Sequence, residues 1–306
     1  MVGYRPGTYV EHAPAKVNLH LAIGPNRPDG FHDLQSIFQL IDLSDLLTIR
    51  IERSEELKVS CGALEGIDAD WNTMIHAVHL HAEAIGATGI ITIACAKHIP
   101  MMAGLGGGSS DGAAVLRALN HACSTPLSQP ELMHLGAQVG SDVPFFLAGC
   151  SAAYVEGRGE HVFPMKSRED LHGLVVMPVG HAVSTAWAFR RLDQMRQEYG
   201  NGRIRFEREA LVEEFSKPVS SWPFTNDFRS VLDGIIGIYD ELDDLVASTG
   251  GCFSSVSGSG SAYVVVSEQQ EKIERLQKKL EVFPHELCLY VIKCLHREHS
   301  GATVSI

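Results

Sequence analysis

The sequence predicts an α+β chain that divides near residue 165, and three observations carry that expectation. Its 306 residues are enough for about two domains, each with a core of its own. Up to the division, long runs alternate apolar and polar residues, the period of half-buried strands, with helical periods between them. Beyond it strands are separated by helices, which sets a second α+β unit, residues 165–306, apart from the first, residues 1–164.

In chain order, YVEHAPAKVNLHLAIG alternates in its second half and reads as a strand reached through Pro14. FQLIDLSDLLTIRI and ELKVSC read as further strands. Asn72 is placed as the N-cap of a helix that carries Ile75, Val78, Ala82 and Ile85 on one side. GIITIACAKHIP alternates again and delivers the chain to AGLGGGSSDGAA, which runs into the helical period of AAVLRALN. Ser128 and Glu131 form a capping box with Pro130 inside it, opening the helix ELMHLGAQV, and Gly140 is a natural stop. Pro144 biases Val143 toward extended backbone, so Asp142 is expected to project from a bend that leads into a strand. SAAYVEGRGEHVFPM reads as a hairpin turning at residues 157–159.

In the second unit LVVMPV, SAYVVV and CLYVIKCL read as strands. STAWAFRRLDQMRQEY, NDFRSVLDGIIGIYDELDDLVAST and QEKIERLQKKLEVF read as helices, the second capped by Asn226-Asp227. Residues 200–224 are polar and interrupted by proline, the pattern of a surface excursion.

Composition sets several function classes aside. Apolar residues at 45% and charged residues at 20% are ordinary for a soluble globular protein. A net charge of −12 repels polyanions, so nucleic acid is not an expected partner, while a small anionic ligand responds to local charge and stays open. No run of about 18 apolar residues occurs, so no membrane span is expected. The start, MVGYRPGTYVEH, lacks the layout of a signal peptide, which makes the cytoplasm the expected location. The seven cysteines are scattered with no CxxC pair, which reads as reduced thiols rather than a disulfide framework or a zinc site. In HAVHLHA only His76 and His79 share a helical face, and no carboxylate completes a ligand set, so the segment reads as a half-exposed helix face.

The stretch AGLGGGSSDGAA carries the chemistry. A helix start leaves about four backbone N–H groups unpaired and bears partial positive charge, so it attracts phosphate. Side chains would hold that phosphate off. Glycines at 104, 106, 107 and 108 let the backbone come close and take positive φ, and Ser109 and Ser110 add hydroxyl donors, Ser110 also as a magnesium ligand. The segment matches neither a Walker A loop nor a Rossmann fingerprint, and a flexible connection ending in a serine or aspartate cap fits the same residues.

Read more widely, PMMAGLGGGSSDGAAVL resembles the nucleotide-binding signature of the GHMP small-molecule kinases, P-x-GGGLGGGSS-N/D-AA in one branch. Other blocks resemble that family in the same order: PAKVNL from Pro14, PDGFHDL from Pro28, GSDVPFF from Gly140 and SGSGSA from Ser257. The triple glycine followed by Asp111 is most similar to the 4-diphosphocytidyl-2-C-methyl-D-erythritol kinase branch. The resemblance spans about residues 12–265.

The resemblance implies a ribosomal-protein-S5-like N-terminal domain and a ferredoxin-like C-terminal domain with the active site in the cleft between them. It implies a phosphotransferase acting with ATP and Mg2+ on a small alcohol, a cytidine diphosphate-linked methylerythritol. Asp142 is implied to take the proton of the acceptor hydroxyl and Lys16 to stabilise the developing alkoxide. Pro100, Gly104, Leu105, Gly106, Gly107, Gly108, Ser109 and Ser110 are implied to hold ATP. Asn18, Phe31, His32, Phe189, Gly258, Ser259 and Gly260 are implied to hold the substrate, with Phe31 and Phe189 on either side of cytosine and His32 at its edge. Phe31 stands where the family more often has tyrosine, and Ala103 where it often has glycine.

On residue type alone other readings share these positions. Asp142 is also a turn residue after a helix, Lys16 a solvated strand lysine, and Phe31 and Phe189 core aromatics. Two further functions use the same motifs: a GHMP kinase for another alcohol of homoserine or mevalonate type, and a non-catalytic ligand sensor on the same fold. Oligomeric state leaves no mark in the sequence.

Overall fold

Two long strands frame the first half of the chain. The computed structural model describes residues 3–62, 72–199, 206–295 and 304–305. β1 (Gly7–Asn26) and β2 (His32–Glu52) pair antiparallel along nearly their whole length, with register shifts between Pro14 and Lys16, Asn18 and His20, and Ile23 and Asn26. The strand therefore begins before Pro14, which sits at an irregularity where a missing N–H is tolerated. β3 (Leu57–Cys61), α1 (Thr73–Ile85) and β4 (Gly89–Ala96) follow. Asn72 caps α1 as expected, its side chain accepting from the Met74 amide. The buried face of α1 is Met74, Ala77, Val78, His81 and Ala82, so Ile75 and Ile85 stand at its edges. His76 and His79 are exposed, whereas His81 is buried with Nδ1 2.9 Å from the Tyr4 hydroxyl.

α2 (Gly107–Ala122) starts inside the glycine run. Small residues at 112, 113, 114, 118 and 122 let it lie close against α1 and β1. α3 (Gln129–Val139) opens with the expected capping box of Ser128 and Glu131 and ends at Gly140. α4 (Val143–Leu147) overturns one expectation: Val143 and Pro144 form the first turn of a short helix, not the start of a strand. A proline in a first helical turn loses no hydrogen bond, because its N–H would be unpaired there anyway. β5 (Ala152–Gly157) and β6 (His161–Met165) form the expected hairpin. The first sheet runs β11-β1-β2-β4-β3, with β5 and β6 added along the β2 edge.

The second sheet runs β10-β7-β9-β8, entirely antiparallel. It is built from β7 (His172–Pro178), α5 (Thr185–Tyr199), α6 (Arg208–Phe215), α7 (Arg229–Leu232), α8 (Tyr239–Thr249), β8 (Phe253–Val256), β9 (Tyr263–Ser267), α9 (Gln270–Leu280) and β10 (Leu287–Lys293). Sheet membership thus changes between Met165 and His172. β11 (Val304–Ser305) returns to pair with β1 of the first sheet. The expected single helix over residues 226–249 is broken between α7 and α8 around Gly234 and Gly237, residues whose backbone freedom opposes a continuous helix. β8 was not anticipated; its four residues are too few for periodicity to register.

The excursion is also corrected. Residues 200–205 lie outside the described residues, but from 206 onward the segment forms α6 and a short 3-10 turn, Val219–Ser221. Leu211, Phe215, Val219, Trp222 and Phe224 are buried, packing in one cluster with Ala15, Val17 and Leu19 of β1 and Phe253, Val264 and Val266 of the second sheet. Its polar residues face outward while its few apolar ones close the seam between the two sheets. Both faces of β1 are covered in this way, which explains the unbroken burial from Ala13 to Gly24. No helix among the described residues is long and apolar enough to cross a membrane.

Candidate active site

Lys16 and Asn18 lie two apart on β1 and so project from one face of the strand. Lys16 is 3% exposed, and a buried ammonium needs partners. Its Nζ finds Asn18 Oδ1 at 2.5 Å, the Asp142 carboxylate at 3.3 Å, and the face of the Phe38 ring at 4.5 Å. Asn18 is held in turn: its Nδ2 donates to Ser36 Oγ at 2.9 Å and its backbone N–H to Ser257 Oγ at 3.1 Å. Asp142 stands at the N-cap of α4 with helical backbone angles and a quarter of its side chain exposed. The short helix aims the carboxylate at Lys16 while one side remains open to a ligand.

The glycine loop passes directly over Lys16. The Lys16 N–H donates to the Leu105 carbonyl at 2.9 Å, and a Cβ on Gly106 would stand 3.0 Å from the Lys16 stem and from the Phe146 ring. Leu105 itself is buried in the core between the sheets, so its side chain anchors the loop. Gly104 and Gly106 take positive φ, 78° and 71°, as expected. Gly107 and Gly108 do not: both are helical and belong to the first turn of α2. Gly106 at the N-cap has no side chain to cap α2, which leaves first-turn amides for a ligand. Pro100 is half-buried just ahead of this loop. Ser109 is half-buried with Oγ 3.8 Å from where a Cβ on Gly140 would stand. Ser110 is 0% exposed, and its buried hydroxyl has no hydrogen-bond partner among the described residues.

A second glycine loop closes against the first. Ser257 Oγ donates to the Gly104 carbonyl at 3.0 Å, and the Ala262 N–H donates to the Ala103 carbonyl at 3.1 Å. A Cβ on Gly258 would lie 2.9 Å from the Gly104 oxygen and 3.4 Å from Asn18 Oδ1. Ser259 Oγ is 2.9 Å from the Thr185 hydroxyl at the start of α5, and Gly260 follows with φ 83°. Asn226, read from sequence only as a helix cap, does more. Its Oδ1 accepts from the Phe228 N–H, while its Nδ2 donates to the Val256 and Gly258 carbonyls at 2.7 and 2.9 Å. Asn226, Ser36 and Ser257 are thus the positioning residues that sequence reasoning missed. The Asn-Asp pair at 226–227 and the SGSGSA block that Ser257 opens were the signals for two of them; Ser36 had none.

At the other end of β2's hairpin, His32 is 7% exposed and stacks on Phe189, with centroids 5.0 Å apart and planes 23° apart. Phe228 meets Phe189 edge-on at 4.9 Å. Phe31 is 47% exposed, with the Arg158 guanidinium over one face at 4.8 Å. His32 and Phe189 therefore touch each other directly, so the histidine ring covers a face of Phe189 instead of lying at the edge of the site, while Phe31 stands part-exposed against the Arg158 guanidinium. An open depression of about 680 Å³ lined by Arg5, Arg117, His121 and Cys123 lies at the other end of α2 and contains none of these residues.

Beneath the glycine loop lies a buried charge cluster. Lys97 Nζ contacts Asp45 at 2.5 Å and Asp111 at 2.7 Å, and Asp45 Oδ1 also accepts from the His98 and Ile99 amides. Burial pushes the Asp111 carboxyl up to about 7; Lys97 pulls it down and the neighbouring Asp45 adds to the rise. Burial works to lower Lys97, but its two carboxylate partners outweigh that and raise it. Between the ordinary value of 3.8 and about 7 the folded chain holds a proton on Asp111 that the unfolded chain lacks. The contribution of this group to stability therefore falls as pH rises through that window. Asp111→Asn is expected to flatten the fall, read as the difference between urea midpoints at pH 5 and pH 8. An unchanged difference would exclude Asp111 as its source.

Comparison with known proteins is consistent with this geometry. Residues 72–150 match a family model described as GHMP kinases N terminal domain. The 4-diphosphocytidyl-2-C-methyl-D-erythritol kinase of Solibacter usitatus is 38% identical over 261 residues, 82% of this chain and 78% of that one. A crystal structure of 4-(cytidine 5'-diphospho)-2C-methyl-D-erythritol kinase superposes with a TM-score of 0.71 at 28% identity, covering 92% of this chain and 99% of that chain. A homoserine kinase from Cytophaga hutchinsonii superposes with a TM-score of 0.73 at 17% identity over 97% of each chain, a likeness of fold alone. The backbone is thus common to kinases of different acceptors, and sequence identity separates them. The chain belongs to the 4-diphosphocytidyl-2-C-methyl-D-erythritol kinase family of the GHMP kinases.

Proposed function

We propose that this chain transfers the γ-phosphoryl group of ATP to the 2-hydroxyl of 4-diphosphocytidyl-2-C-methyl-D-erythritol. One observation carries the chemistry: a buried ammonium and a part-exposed carboxylate, Lys16 and Asp142, stand 3.3 Å apart beside uncapped helix amides. An alcohol is a weak nucleophile until its proton leaves, and Asp142 accepts that proton as attack proceeds. Lys16, held in place by Asn18, stabilises the oxygen as charge builds on it. The amides of residues 106–109 receive the nucleotide phosphates, with Pro100, Gly104 and Leu105 shaping the approach and the Ser110 N–H closing the first helical bond to the Gly106 carbonyl. Gly258 and Ser259 offer backbone donors to the acceptor's phosphates, Gly260 closes their turn by donating its N–H to the Ser257 carbonyl, and Phe31, His32 and Phe189 form the base site.

Mg2+ accompanies the nucleotide. Among the described residues no three His, Cys, Asp or Glu side chains group into a cage, which suits an ion carried on phosphate oxygens and water. Ser110, whose buried hydroxyl has no partner among the described residues, is the proposed ligand, with the half-buried Ser109 next to it. When bound, the ion neutralises phosphate charge.

ADP release measured with a panel of acceptors tests the reading. Turnover with the cytidine diphosphate-linked methylerythritol is expected to exceed that with homoserine or mevalonate by at least about 100-fold in kcat/KM. Turnover with homoserine and none with the cytidine compound would refute the acceptor assignment. No ADP release with any alcohol would favour a non-catalytic sensor.

A further inference from the structure

The imidazole of His32 is held from two directions by one turn of α5. Phe189 lies flat against the ring, and four residues further along the same helix face Asp193 places Oδ1 2.8 Å from His32 Nε2. His32 is 5% exposed by side chain and Asp193 30%, so the pair is shielded on the histidine side. An ionised carboxylate only accepts hydrogen bonds, so Nε2 must carry the hydrogen. In the neutral ring Nδ1 is then bare, an acceptor with no proton to give.

We propose that Asp193 is a positioning residue for pyrimidine specificity. By keeping the His32 proton on Nε2 it leaves Nδ1 to accept from the exocyclic amino group of cytosine. The same nitrogen opposes the carbonyl that uracil carries at that place. Two lone pairs facing each other in a site walled by aromatic rings have no hydrogen between them and little water to replace it, and the mismatch is costly. Asp193 acts only through the imidazole. The inference rests on the reading of Phe31, His32 and Phe189 as the base site.

The test compares kcat/KM for cytidine and uridine diphosphate-linked methylerythritol in the wild type, Asp193→Asn and Asp193→Glu. The wild type is expected to prefer the cytidine compound by about 100-fold or more. In Asp193→Asn the amide N–H can donate to Nε2, the ring proton moves to Nδ1, and the preference is expected to fall by about tenfold or more, as replacing a tautomer-setting carboxylate does elsewhere. KM for ATP should not move, and nitrogen-detected NMR of the His32 ring should show the proton changing sides. Asp193→Glu, which keeps an acceptor, should restore part of the preference. A purely structural role would lower both substrates alike, and an unchanged ratio, or a wild-type ring protonated on Nδ1, overturns the proposal. A wild type inactive on both pyrimidine compounds sinks the base-site reading and this inference together; turnover of the cytidine compound with an unchanged ratio sinks the role of Asp193 alone.

Discussion

Asp142→Asn is expected to lower kcat by about 10²–10⁴-fold, the range attributed to a positioned general base, while ATP binding changes little. The substitution keeps size and N-cap position on α4, so fold and loop contacts are preserved. What it removes is the negative oxygen 3.3 Å from Lys16 Nζ and with it the acceptor for the alcohol proton. Because Lys16 is 3% exposed, losing its charged partner also leaves a buried ammonium with Asn18 and the Phe38 ring, which adds to the loss. Steady-state ADP release, paired with fluorescence titration of a nucleotide analogue, separates the two effects. A variant with kcat near the wild-type value would remove Asp142 from the mechanism.

Gly104→Ala is the second large effect, and its cause is steric. A Cβ at this position would stand 2.0 Å from the Ser257 carbonyl oxygen and 2.9 Å from its carbon, and the backbone holds φ at +78°. Neither neighbour is a flexible side-chain tip, so the two glycine loops must separate. Stability is expected to fall by about 3 kcal/mol, and catalysis with it, since the same contact fixes Ser257 against Asn18. Gly108→Ala is the contrast. Among the described residues its Cβ would meet nothing nearer than 3.7 Å in a helical first turn, so the fold should gain up to about 1 kcal/mol while KM for ATP rises, because the methyl group crowds the amides. Urea midpoints and ATP titrations on both variants check this. Equal behaviour of the two would show that the loop tolerates side chains generally.

Much of the molecule was legible where neighbours along the chain decide the outcome. The Asn72 cap, the Ser128–Glu131 box, the hairpin at residues 157–159 and the strand period of β4 all depend on side chains a few positions apart. Asp142 was misjudged locally because Pro144 suits both an extended neighbour and a first helical turn, and packing of Val143 and Phe145 in the core selects the second. The stretch after residue 205 was misjudged because composition counts its polar residues, whereas burial depends on where Leu211, Phe215 and Trp222 point.

By itself the sequence determined the helix caps, the hairpin, most of the strands, the glycine run ahead of α2 and the family to which the chain belongs, since each rests on local spacing or on blocks in order. Only the tertiary structure decided that Lys16 meets Asp142, that Gly104 presses on Ser257, that Ser110 is enclosed while Ser109 is half-buried, and that Asp193 holds His32. Those contacts join residues far apart in the chain, and they form through strand register, helix packing and the burial of charge, none of which is encoded in any short segment.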